Sequence, residues 1–205
     1  MTSAPPPPPG WKPRPVVPTS QQQAQDTVLG YLKKTLQALP AGTTLDATRY
    51  SGGTNTPPCE DVISGVPPVA FTTIADLKLP AGVDPDDIIA KVGEIWQGWG
   101  WYVLDRGDLV RKNRFGYGPD GYRLQIMAAA KPGYPLSVES ISPCFPGDLP
   151  DNRSPFPMVL TAREPRRRCG LRGFSGRLAG YARQWGLHRR QELRTWAGSA
   201  HRNIG

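Results

Sequence analysis

Three cysteines, two histidines and a scatter of carboxylates are the side chains in this 205-residue sequence able to do covalent or metal chemistry. Both histidines, His188 and His201, fall near the end, so residues 1–187 hold no imidazole. Ser-His-Asp and Cys-His mechanisms are thereby excluded from that stretch unless the last residues fold back onto it. No C-x-x-C pair occurs, and neither metal nor cofactor is expected. Asp105 with Asp108, and Glu60 with Asp61, are close in sequence. Carboxylate pairs work as acid and base only when two environments separate their pKa values, and hairpin or loop carboxylates are ordinarily solvated. Gly116-Tyr117-Gly118 leads into a proline turn and a strand, whereas a phosphate cradle opens a helix. The expectation is a protein that is not an enzyme.

Cys59 lies in a loop-like stretch and Cys144 at the end of a strand-like one, with Cys169 far beyond. The first two are a candidate disulfide, whose long loop is worth about 4 kcal/mol in the chain-entropy description. Two buried free thiols are the alternative.

The elements that position these residues are legible from patterning. Asp84 suits a helix N-cap and Pro85 the first helical position, while Asp86 and Asp87 place negative charge at the positive end of the dipole. Ile88, Ile89, Val92, Ile95, Trp96 and Trp99 then form one apolar face, and Gly98 or Gly100 can end the helix. An earlier helix over 21–39 is predicted by Ser20 with Gln23, which resembles a capping box, and by Ala24, Val28, Leu32, Leu36 and Leu39. Strands are expected at 43–50, 69–78, 101–104, 109–115, 122–128 and 136–142, with a loop over 51–68 and a tight hairpin turn at 105–108. Residues 116–121 and the Lys131-Pro132-Gly133 run read as further reversals. This order argues for an α+β domain over 20–162, with two helices packed on one face of a mostly antiparallel twisted sheet.

Two flanks differ from the domain. Residues 1–19 are a proline-rich, polyproline-like linker, with Pro5 to Pro9 consecutive, and contain no run apolar enough for a signal peptide or membrane span. Residues 1–162 carry 14 Lys plus Arg against 15 Asp plus Glu, net −1, and residues 163–205 carry 11 Arg and 2 Glu, net +9. The charge of +8 therefore belongs to the tail. There Leu171, Phe174, Leu178, Tyr181 and Trp185 repeat at helical spacing among Arg172, Arg177, Arg183, Arg189 and Arg190. A basic amphipathic helix on nucleic acid or an anionic membrane is one reading, with a steep salt dependence lost on truncation after Ala162. Gly173, Gly176, Gly180 and Gly186 weaken such a helix, and eleven Arg without Lys also resemble a GC-rich gene read in another frame. A disordered or weakly helical tail is the expectation.

The run from an initial helix through a loop cysteine, a strand, the D-P-D-D-I-I-A-K-V helix, the G-Y-R-L-Q-I strand and a last strand entering Cys144 resembles the soluble part of mycobacterial LppA-like lipoproteins, over about residues 21–146. The resemblance implies a secreted, lipid-anchored cell-envelope domain in which Cys59 and Cys144 are partners. It implies no catalytic residues, because those proteins have no settled activity. An export segment and lipidated cysteine are lacking in this chain, so an upstream segment would have to supply the membrane anchor.

The resulting expectation is a non-enzymatic envelope domain that binds a lipid, glycan or protein partner. The alternative is a cytoplasmic binder of nucleic acid or anionic membrane acting through the tail. Trp99, Trp101, Tyr117 and Tyr122 mark the expected ligand face, although such aromatics serve cores equally well. Arg106, Arg111, Lys112, Arg114 and Arg123 near these rings suit a polyanion, but on a net acidic domain they read more simply as a solvated face, which weighs against nucleic acid. Arg106-Gly107-Asp108 spells a short adhesive tripeptide, yet glycine is wanted in that turn anyway.

Overall fold

The computed structural model describes residues 9–162 except Gly52, Val62 and Asp108. Cys169 and the tail arginines Arg172, Arg177, Arg183, Arg189 and Arg190 lie outside the described residues.

Helix α1 spans Gln21–Gln37 behind the N-cap Ser20, whose hydroxyl accepts from the Gln23 backbone at 3.0 Å. Gln23 Oε1 accepts in return from Thr19 N at 2.7 Å, so the reciprocal arm reaches one residue further back than in a standard capping box. Helix α2 spans Pro85–Gly98, and Asp84 accepts from Asp86 N at 2.8 Å. Gly100, with φ +79°, is the left-handed residue that turns the chain after α2. Ile88, Ile89, Val92 and Trp96 are buried, with Ile95 and Trp99 at the margin of the same face. Trp96 is 0% exposed, and its Nε1 donates to Thr35 Oγ1 of α1 at 3.2 Å, tying the two helices together.

The strands are β1 Thr44–Asp46, β2 Thr54–Asn55, β3 Thr72–Lys78, β4 Tyr102–Leu104, β5 Asn113–Tyr117, β6 Arg123–Met127, β7 Leu136–Ile141 and β8 Val159–Thr161. They form one open antiparallel sheet in the order β4-β5-β6-β7-β3-β1-β8, with β2 also paired to β3. Alternation sends Leu45, Ala75, Leu77, Leu124, Ile126, Leu136 and Val138 to one side, where they share a single core with Val28, Leu32, Leu36, Ile89 and Trp96 of the helices. The protein is therefore α+β, with both helices on one face of an antiparallel sheet. Its opposite face carries no helix among the described residues.

Several boundaries depart from the sequence expectation. The strand expected at 43–50 stops at Asp46, whose carboxylate accepts from Thr48 N at 2.9 Å and Thr48 Oγ1 at 2.6 Å and turns residues Thr48–Tyr50 into a 3-10 turn. The expected loop 51–68 contains β2. The hairpin is not tight: Tyr102 pairs with Tyr117 and Leu104 with Phe115, which leaves 105–112 as a connection. Asn113, 1% exposed, organises that connection by accepting from Arg106 N at 2.9 Å and donating to the carbonyls of Arg106 at 3.0 Å and Arg111 at 2.7 Å. Gly116 and Tyr117, expected in a reversal, belong to β5. A side chain at Gly116 would place Cβ 2.6 Å from Trp96 Cε3, so glycine there makes room for the indole. Strand β8 was not expected; Leu160 pairs with Leu45. Residues 11–16 are docked: Arg14 N donates to Pro119 O at 2.5 Å, Val16 N to Asp120 O at 2.9 Å, and Trp11 packs on Tyr102 at 5.6 Å.

Candidate functional site

The four aromatics expected to form a ligand face do not share one surface. Trp99, Trp101 and Tyr122 gather on the helix side around Tyr31 of α1, with ring centroids 6.0, 4.8 and 5.7 Å from it. Trp101 is 6% exposed and Tyr122 3%, and Lys34 Nζ lies 4.2 Å over the Trp99 ring. The Tyr31 hydroxyl donates to Asp120, and burial together with that carboxylate pushes its pKa well above the ordinary tyrosine value. These rings cement α1, α2 and the sheet. Tyr117 stands on the opposite face beside Tyr102, at 5.9 Å.

Three concavities lie on that opposite, helix-free face. The largest of these three, about 470 Å³, has Ile74 of β3, Gln125 and Met127 of β6 and Ser137 of β7 among its floor residues. Its rim comes from three separate connections: Arg49 and Tyr50 from the 3-10 turn, Arg111 from the 105–112 connection, and Lys131 and Tyr134 from the β6–β7 turn. A second, about 210 Å³, is bounded by Arg106, Phe115, Tyr117, Arg123 and Ile141, and a third, about 260 Å³, by Tyr50, Asn55 and Thr72. Glu139 borders the second and third. Register explains the grouping, because Phe115, Gln125, Glu139 and Ile74 are successive cross-strand partners along one row of the face.

Two polar arrangements stiffen this face. Arg49 Nη2 lies 2.7 Å from the buried Asp76 carboxylate and donates to Tyr50 Oη at 2.6 Å, while Tyr50 donates to Asp76 at 3.0 Å. Burial raises the Tyr50 pKa, with the Arg49 hydrogen bond opposing. Gln125 donates through Nε2 to Glu139, whose carboxyl is pushed upward by burial against the pull of Arg123.

The carboxylates singled out in sequence do not converge. Asp105 pairs with Arg114, Glu60 and Asp61 are exposed in a loop, and Asp108 is outside the described residues. Of the basic residues, Lys112 pairs with Asp86 and Arg114 with Asp105, whereas Arg111 joins the largest concavity and Arg106 and Arg123 the second. Arg49, Tyr50, Lys131, Tyr134 and Glu139 were missed. The available signal was apolar residues at outward strand positions, Ile74, Met127 and Ile141, where a solvated antiparallel face is ordinarily polar. No group of three or more His, Cys, Asp or Glu suited to a metal occurs among the described residues.

Cys59 and Cys144 form a disulfide with Cα atoms 6.3 Å apart, and both residues are exposed. Beside it Val69 and Phe145 exchange two backbone hydrogen bonds of 2.9 Å. No described helix is long and apolar enough to cross a membrane. The fold and face thus define a disulfide-tied α+β domain with a concave sheet surface that no helix of the described residues covers. No family model, curated protein or solved structure matches the chain.

Proposed function

We propose that this chain is a non-enzymatic, extracytoplasmic domain of the cell envelope, of the kind the LppA-like resemblance implies, and that it binds its ligand on the helix-free face of the sheet. The observation that carries this reading is the face that no helix of the described residues covers: three concavities share it, lined by mixed apolar and polar side chains. The disulfide supports an oxidising compartment, since such bridges are rare where thiols are kept reduced. The concavity of about 470 Å³ has no carboxylate among the described residues of its lining, which favours binding over acid–base chemistry there.

The test is amide chemical-shift mapping of the full chain, made under oxidising conditions, against envelope lipid and glycan fractions. Shifts confined to Ile74, Gln125, Met127, Ser137 and their row neighbours support the reading. Shifts confined to the Tyr31 aromatic cluster, or alkylatable thiols at Cys59 and Cys144, overturn it. A second reading, anionic binding by the tail, is motivated by the net +9 of residues 163–205. It calls for steep salt dependence and leaves the sheet face unshifted.

A further inference from the structure

We propose that the Arg49–Arg111–Lys131 concavity takes the anionic headgroup of an amphiphile, a phosphate or carboxylate borne on an aliphatic chain. This rests on the ligand-binding reading above and names the chemistry of that same face. Among the described residues the lining brings together three cations and no carboxylate, with Asp76 buried outside it and paired to Arg49, on a domain whose residues 1–162 have a net charge of −1. Such a concentration of one sign in a concave, partly apolar setting focuses potential toward a counter-ion.

Arg111 and Lys131 take part in none of the ion pairs found among the described residues, although Lys78, Lys91, Lys112, Arg114 and Arg153 all do. Arg49 is held in place from below. Its contacts to Asp76 and Tyr50 both use Nη2, and the remaining N–H groups of the guanidinium are donors for a ligand. The same lining includes Ile74, Met127 and Ala129 and the Tyr50 and Tyr134 side chains. A volume of about 470 Å³ falls within the range of small-molecule sites and accommodates a headgroup with a length of chain.

The same lining argues against two neighbouring chemistries. An inorganic anion has no use for the apolar floor. A nucleic acid needs a continuous basic track, and Glu139 interrupts it at both adjoining concavities.

The chain has three methionines, which gives a direct readout. Met127 lies in the floor, and Met158 precedes β8, four strands across the sheet from β6. The full-length protein carrying [methyl-13C]methionine is titrated with dodecyl phosphate, dodecyl maltoside and inorganic phosphate, each detergent below its micelle threshold. Dodecyl phosphate should shift Met127 and leave Met158 in place, with dodecyl maltoside and inorganic phosphate each at least about tenfold weaker. Arg111→Glu with Lys131→Glu should weaken dodecyl phosphate by about tenfold or more, because both side chains are exposed and their reversal leaves the core untouched. An unchanged Met158 signal verifies the fold of the variant. Equal binding of dodecyl maltoside at Met127 overturns the anionic assignment while the ligand-binding face stands. Inorganic phosphate binding as tightly as dodecyl phosphate overturns the amphiphile. Silence at Met127 with all three probes overturns this inference, whereas the broader reading falls only on the outcomes given for it above.

Discussion

Replacing Cys59 and Cys144 together by alanine should lower the unfolding free energy by about 4 to 5 kcal/mol. The bridge spans a sequence separation of 85 residues. Inserting that length in the chain-entropy relation gives about 15 cal/mol/K, or about 4.6 kcal/mol at 298 K. The native state itself loses little, because the Val69–Phe145 hydrogen bonds and the 2.8 Å bond from Cys59 N to Pro68 O remain, and Phe145 is buried. The effect is therefore expected in the freedom of the unfolded chain. For a domain of this size each kcal/mol moves Tm by about 2–4 °C, so a fall of about 9–18 °C should follow. Urea unfolding monitored by tryptophan fluorescence gives the free energy, and a thermal scan gives Tm. Because both cysteine residues are exposed, reducing the wild-type protein in its folded state should reproduce the double variant. A loss below about 1 kcal/mol, or a bridge that resists reduction until the protein unfolds, refutes this reasoning.

Gly116→Ala should destabilise by about 1–3 kcal/mol in urea unfolding, since the added methyl meets Trp96 Cε3 at 2.6 Å and Trp101 Cε3 at 3.2 Å; a neutral result would mean that the indoles shift freely. Asp84→Ala removes the side-chain acceptor for Asp86 N and should cost about 1 kcal/mol, with Asp84→Asn recovering most of it. Glu139 titrates above the ordinary glutamate range in the folded protein, so ionising it disfavours the fold. The penalty is absent below the unfolded pKa of about 4.3 and complete above the folded value. Glu139→Gln should accordingly raise the urea midpoint near pH 7 and change it little near about pH 3.5; the reverse order would sink the assignment.

Elements with dense local signals were legible in the sequence. The capped α2 and α1 stand almost where their caps and apolar spacing put them, and β3, β6 and β7 follow from alternation. The failures have physical causes. Leu109 and Val110 have the composition of strand residues, but Val110 is 105% exposed, because the buried Asn113 amide ends the connection there. Strand β8 comprises three residues after a proline-rich run, too short for any period, and owes its existence to pairing with β1. Trp101 and Tyr122 resemble a ligand platform in composition, and only the packing around Tyr31 reveals them as core. The concavity was illegible for another reason. Arg49, Arg111 and Lys131 lie far apart in sequence, on three connections, and become neighbours only once the register of β3, β6 and β7 is fixed.

Asn113 gives the cationic rim an unusual dependence. The backbone that carries Arg111 is anchored by a side-chain amide lying beneath the surface, out of a ligand's reach. The entropy of ordering that segment is thus lost when the domain folds, and docking an anion need not repeat the loss. Affinity at the rim becomes coupled to the integrity of one buried amide, so a change that never touches the ligand can loosen its grip by returning Arg111 to an ensemble of positions.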